Sequence, residues 1–368
     1  MPHRRETLSL RQMSILCIGH NFDLVCYGCK NSSELNSLME SDGYLSVKSP
    51  VAYLPSSLLE DMYSVICRRR CFAHYLHVLI QPQIRHLEIQ PGTIHHAITF
   101  LQQRCAQLRS LSLTSSTFLN PELFIPIFQH FPNLVKLNLS GTVIDDRAFA
   151  TIAATCHKLR YLNVSRSTIS AWGLLALSIS DHNILRCQQL EFINLEKCRV
   201  TKTDVASFLY YHPRLHHLVY EDTVGVLGHL ASLGGCDVIF NISMLTCEGE
   251  KDQVDEVLRS AVSMVTRVTS IKMTGTRLTN TGLYPLMNCH HLQHLHIINT
   301  DMFQVDFDEG LSPILVEVGS SLTTLELDRF KHVDISFLGR HCTKLKKLSL
   351  SHVVHYGTLL ALAEVGNI

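Results

Sequence analysis

Leu134-Val135-Lys136-Leu137-Asn138-Leu139, answered 25 residues on by Leu159-Arg160-Tyr161-Leu162-Asn163-Val164, decides how this chain folds. Each stretch reads apolar, two variable residues, apolar, one variable residue, apolar. The same pattern precedes it at Ile84, Leu87, Ile89 and at Leu108, Leu111, Leu113. It follows at Leu190, Ile193, Leu195; at Leu215, Leu218, Tyr220; and at Val268, Ile271, Met273. Three more copies begin at Leu292, Leu322 and Leu345. Successive starts lie 24, 26, 25, 31, 25, 53, 24, 30 and 23 residues apart, and the interval of 53 has room for two periods. We assign a degenerate repeat to that gap, at about 224–262, with the alternating Val238, Phe240 and Ile242 of Cys236–Ile242 as its strand.

Each copy supplies a short strand and then a helical stretch, such as Asp145–Thr155 with Ala148, Phe149, Ile152 and Ala153 on one side. Neither element buries its apolar face alone, so the repeats must stack. Stacking predicts one continuous right-handed α/β solenoid over 84–368, with a parallel sheet on its concave side and helices outside. Five repeats place a cysteine three residues before the first pattern position, at Cys105, Cys156, Cys187, Cys289 and Cys342. Spacing, cysteine and the asparagine after the second leucine together resemble the cysteine-containing class of leucine-rich repeat. One thiol per repeat is a packing residue, since a zinc site needs four convergent ligands.

Composition narrows the function. The 368 residues are 46% hydrophobic and 17% charged, enough apolar material for a large core. Lys plus Arg and Asp plus Glu stand at 32 each, so no net field draws the chain to nucleic acid; the run Arg68-Arg69-Arg70 reads as a helix end. Thirteen cysteines, an odd number with five at one repeat position, argue for free thiols in a reducing compartment, cytosolic or nuclear. Met13–Ile18 is too short for the apolar core of a signal peptide, and no run is long enough to span a bilayer. No phosphate-binding loop, nucleophile elbow or metalloprotease helix occurs in a credible context, so neither enzyme chemistry nor a cofactor is expected. His294 and His296 share a strand face, but two histidines do not make a structural metal site.

Alternation along each strand turns the variable residues toward a partner. Lys136, Tyr161, Phe192, Glu196 and His217 are the candidate substrate-binding residues. Tyr161 and Phe192 hold equivalent places in successive repeats, and paired aromatics on a polar sheet are either binding anchors or covers for neighbouring backbone. Asn138, Asn163 and Asn194 form a row that reads as structural.

Residues 1–83 lack the repeat. Met13, Leu16 and Cys17 share one helical face, with further helical candidates at Ser32–Met39 and from Pro55 to about Arg69. Read from the residues alone, this segment caps the solenoid. It also resembles the adaptor-binding end of the Zyg-eleven and Zer-one family, leucine-rich-repeat substrate receptors of cullin-2 ubiquitin ligases. Gln12-Met13-Ser14-Ile15-Leu16-Cys17 is similar to that family's elongin-binding BC-box. Tyr53-Leu54-Pro55-Ser56-Ser57-Leu58-Leu59, reached after Leu38-Met39 and Tyr44-Leu45, is similar to its cullin box. Cys247-Glu248-Gly249-Glu250 resembles its Gly-Glu loop. The resemblance implies elongin C, elongin B and cullin-2 as partners. It gives Met13, Leu16 and Cys17 to the adaptor and Leu54, Pro55 and Leu58 to the cullin. Gln12 and Asn21 depart from the box, and the family's C-terminal armadillo-like domain has no counterpart in these residues. Two alternatives stay open, an F-box-type receptor of a cullin-1 ligase and a scaffold without ligase connection.

Overall fold

The computed structural model describes residues 9–28, 49–68, 75–89, 94–115, 122, 124–179, 184–234, 238–249, 254–300 and 305–356. The expected helix at 32–39, the Tyr44-Leu45 pair, Arg69 and Arg70, and residues 250–253 lie outside them. The chain divides into two compact units, 1–169 and 170–368.

The first unit opens with α1 (Leu10–His20), α2 (Phe22–Tyr27), α3 (Ser56–Ile66) and α4 (Leu76–Leu79). Then strands and helices alternate: β1 (His86–Glu88), α5 (Ile94–Arg104), β2 (Ser110–Ser112), α6 (Phe124–Phe128), β3 (Lys136–Asn138), α7 (Asp146–Thr155) and β4 (Tyr161–Asn163). Strands β1 to β4 pair in parallel, with Leu87, Leu111, Leu137 and Leu162 in one register line. These leucines are almost wholly buried while their strand neighbours face outward. The sequence pattern is therefore the core pattern of the sheet. Asp145 caps α7 by accepting the Ala148 amide at 3.0 Å, and Ala148, Phe149, Ile152 and Ala153 are its buried face.

The second unit continues the alternation with α8 (Ala171–Ser178), β5 (Phe192–Asn194), α9 (Lys202–Tyr211), β6 (His217–Val219), α10 (Thr223–Ser232), β7 (Met244–Glu248), α11 (Val254–Ser263) and β8 (Ser270–Thr274). A 3₁₀ segment (Thr281–Asn288) precedes β9 (His294–Ile298), and a π turn (Phe307–Leu311) leads into α12 (Ser312–Val318) and β10 (Thr324–Asp328). The described chain closes with β11 (Val333–Asp334), α13 (Ile335–His341), β12 (Lys347–Ser351) and β13 (His355–Tyr356). β5 pairs with β6, and β7, β8, β9, β10 and β12 form one parallel sheet in that order.

The degenerate repeat is present but its strand is displaced from the expected Cys236–Ile242. Ile242, Leu245 and Cys247 take the three core positions, each buried, and the strand is Met244–Glu248. Phe240 makes only an isolated bridge to Val265. Backbone bonds carry the repeat through this stretch, with the Ser243 amide donating to the His216 carbonyl at 2.9 Å and the Thr269 amide to the Ser243 carbonyl at 2.8 Å.

After the strands the chain turns through left-handed backbone at a fixed place, occupied by Gly141, Gly249 and Gly275 in some repeats and by Ser115, Arg166, Lys197, Arg329 and His352 in others. Gly249 of the Gly-Glu loop is thus an ordinary repeat turn, a place where glycine adopts positive φ without steric cost.

The five pattern cysteines are buried. The Cys156 thiol lies 3.5 Å from the Phe131 carbonyl and the Cys105 thiol 3.9 Å from that of Gln81, each tying one repeat to the one before. Burial pushes the thiols of Cys105, Cys187 and Cys342 up to about 12 and that of Cys289 to about 11.

Candidate functional site

α1 begins with a reciprocal cap: the Ser9 amide donates to Gln12 Oε1 at 2.8 Å and the Gln12 amide to Ser9 Oγ at 3.2 Å. It ends where Asn21 Nδ2 donates to the Cys17 carbonyl at 2.9 Å. Both departures from the BC-box pattern therefore have local work, one starting the helix and the other stopping it. The helix turns Ile15 and Gly19 inward. A Cβ at Gly19 would stand 2.6 Å from a methyl of Val65, so only glycine admits this approach to α3. Arg11 and Asp61 pair at 2.6 Å across the same two helices.

This docking leaves Met13 and Cys17 of the predicted adaptor face open and holds Leu16 at the edge of the contact. Met13 is 49% exposed, Cys17 is exposed, and Leu16 is half-buried beside a cavity of about 330 Å³ that Gly19, His20, Val65 and Arg68 also line. Leu10 extends the apolar exposure. The buried residues of α1 are Ile15 and Gly19 rather than the predicted adaptor residues.

The predicted cullin residues enter α3. Pro55 is its N-cap and is exposed, while Leu54 and Leu58 are half-buried and Tyr53 stands out 90% exposed. Gln83 Nε2 holds the entry by donating to the carbonyls of Ala52 and Leu54 at 2.6 and 2.9 Å. Leu59, Met62, Tyr63 and Ile66 are buried. α3 also covers the outer edge of β1, where Glu60 Oε1 accepts the amides of Arg85 and His86 at 3.0 and 2.9 Å. The capping function expected of this segment thus falls to α3, through a residue the sequence did not single out.

On the strand faces, Lys136 and Tyr161 are register partners in the first unit. Phe192 and His217 are register partners in the second, with ring centroids 6.3 Å apart. The side-by-side stacking expected of Tyr161 and Phe192 would involve one residue from each unit. Glu196 lies in the turn after β5, its amide donating to Asn194 Oδ1 at 2.9 Å. Asn138 and Asn163 accept the amides of Ser140 and Ser165 in the same way at 3.1 and 3.0 Å. The asparagine row is structural, but each bond is local to its own turn.

In the second unit the charged groups of the open face pair across strands: Lys272 with Glu248 at 3.0 Å, Lys347 and His296 with Glu326, and His352 with Asp328 at 2.9 Å. The Lys347 hydrogen bond holds the Glu326 carboxyl below its ordinary value. Among the described residues no three His, Cys, Asp or Glu side chains gather closely enough to hold a metal, and no helix is long and apolar enough to cross a membrane.

Residues 72–223 match the family model described as "FBD-associated F-box protein At5g56370, LRR repeats". A chain of the crystal structure of the Rad7 and Elc1 complex in yeast is similar over 94% of this chain and 88% of its own, at 14% identity and a TM-score of 0.53. An internalin, inlF of Listeria monocytogenes str. 4b F2365, aligns over 90% of this chain and 96% of its own, at 15% identity and a TM-score of 0.46. With the pattern residues buried in register along the parallel strands and a repeat model matching residues 72–223, the chain has a leucine-rich-repeat fold.

Proposed function

We propose that the chain is the substrate-recognition subunit of a cullin-2/elongin-type E3 ubiquitin ligase. α1 contacts an elongin-C-like adaptor, Leu54, Pro55 and Leu58 lie near the cullin, and the strand faces take the target protein in the cytosol or nucleus. The observation that carries this reading is the partly exposed apolar face of α1. Met13 and Cys17 are exposed and Leu16 half-exposed, at the helical spacing a helix-in-groove contact uses, while α1 buries Ile15 and Gly19. The likeness to a chain solved in the Rad7 and Elc1 complex supports it.

The F-box-associated repeat match favours a second reading, a receptor that reaches cullin-1 through a Skp-type adaptor. Co-purification of the full chain with elongin B and C plus cullin-2, against Skp plus cullin-1, separates the two. On the first reading elongin is captured, and the double variant Leu16→Ser, Cys17→Ser stays folded but loses it. Capture of Skp alone replaces the first reading with the second, and capture of neither leaves a repeat scaffold.

A further inference from the structure

Where α3 rises beside the first sheet it encloses a cavity of about 480 Å³, opening onto the strand face. Tyr63 of α3, Arg68 in the turn after it, His86 and Glu88 of β1, and Ser110 and Ser112 of β2 line it. Glu88 is exposed and makes no hydrogen bond or ion pair among the described residues, whereas Glu248, Glu326 and Asp328 on the open face of the second unit are all paired. Ser112 is its register partner on the next strand, and Ser110 is that of His86. Adjacent parallel strands lie about 4.8 Å apart, so Ser112 stands one strand spacing from a glutamate that no described residue pairs with. At the cavity wall, burial pushes the Tyr63 phenol up, and Cys67 and Glu88 add to it. The negative field of Glu88 therefore extends into the enclosed space.

We propose that this walled end of the strand face takes an arginine side chain from an extended segment of a protein partner. Among the described lining residues the Glu60 and Glu88 carboxylates outnumber the Arg68 guanidinium, and with Glu60 engaged by the Arg85 and His86 amides, Glu88 is the acceptor open to a cation. The acceptors are spread over two strands, and the planar fork of a guanidinium satisfies such a set, engaging Glu88 with two N–H groups and reaching a serine hydroxyl with another. A lysine ammonium is a compact point charge that meets fewer of them. The open sheet beside the cavity accommodates the extended backbone on either side of the arginine. This rests on the receptor reading only in making the partner a substrate; the pocket chemistry stands apart from it.

Saturation-transfer NMR on the full chain, with acetyl-arginine methylamide as the probe, tests the proposal. Acetyl-citrulline methylamide, the neutral isostere, and acetyl-lysine methylamide are the comparisons. The arginine probe is expected to bind about tenfold more tightly than either. Glu88→Gln, a surface change whose fold circular dichroism verifies, brings arginine binding down to the citrulline level, and Arg68→Gln raises it. Equal binding of arginine and citrulline, or arginine binding unchanged in Glu88→Gln, overturns the proposal, and lysine binding as tightly as arginine overturns its guanidinium specificity. Glu88→Gln retains adaptor capture if the receptor reading holds. Arginine binding without adaptor capture sinks the receptor reading and keeps the pocket.

Discussion

Glu60 stands to Arg85 as Arg85 stands to Arg109. The Arg85 carbonyl accepts the amides of Arg109 and Ser110 at 2.8 and 2.9 Å, and the Arg109 carbonyl accepts those of Val135 and Lys136 at the same distances. β1 has no repeat before it, and the Glu60 carboxylate takes the missing carbonyl's place. Glu60→Ala should cost about 1–2 kcal/mol, because it removes a charge-assisted acceptor shared by two donors. Urea denaturation measures the loss, and faster amide exchange confined to Arg85 and His86 localises it. Glu60→Gln, which keeps an acceptor oxygen without the charge, should recover part of the difference.

Leu137 and Leu162 sit in one leucine line with 0% exposure. Leu137→Asp or Leu162→Asp buries an unpaired carboxylate between repeats and should destabilise the array by more than about 4 kcal/mol. Loss of the cooperative thermal transition is the expected readout. A variant that melts within a few degrees of the parent would mean the repeats tolerate a local opening there.

The thiols should separate into two reactivity classes. Cys17 is exposed, whereas Cys105, Cys187, Cys289 and Cys342 are buried with pKa values of about 11 to 12. The thiolate is the nucleophile, so alkylation at pH 8 should mark Cys17 within minutes and the buried four only after denaturant is added. Peptide mass mapping of the alkylated chain distinguishes them.

His212 takes the place that other repeats give to cysteine, three residues before the first pattern leucine. It is buried against the Phe208 ring, 4.2 Å between centroids, with Nε2 3.2 Å from the Ser178 hydroxyl. Burial lowers its pKa from 6.5 to about 4. As pH falls, the unfolded chain binds this proton first, so the stability from neutral His212 is full above pH 6.5 and lost on the way to pH 4. Melting temperature should drop over that window by roughly 5 °C more in the parent than in His212→Cys. Equal acid sensitivity in the two proteins would show that other groups control it.

Replacing Tyr161 and Phe192 together by Ala should weaken capture of protein partners, as truncation of half-buried aromatic anchors does. Thermal melting should change little. A fall in melting temperature with capture intact would make both rings covers for neighbouring backbone.

The strand positions were legible because each is set by three apolar residues at fixed spacing, and the pattern residues from Leu87 to Leu162 are the buried ones. The extra strand in the 53-residue interval was misregistered, since the alternation of Val238, Phe240 and Ile242 offered a competing strand just before the Ile242, Leu245 and Cys247 core positions. The docking face of α1 was not legible, because Gly19 matters through the side chain it lacks. Glu60 was invisible for a different reason: its partners are backbone amides 25 and 26 residues away, and such a contact leaves no trace in residue type.

The asparagine bonds described above have a consequence for how this protein can change. Asn138, Asn163 and Asn194 each secure only their own turn, and the leucine lines secure the stacking. Residues such as Lys136, Ser110 and Ser112, lying between those two fixed sets, are released from duty in either. Mutation can therefore alter the face one strand at a time while foldability is held by a separate set of residues, which makes the face an evolvable surface on a fixed frame.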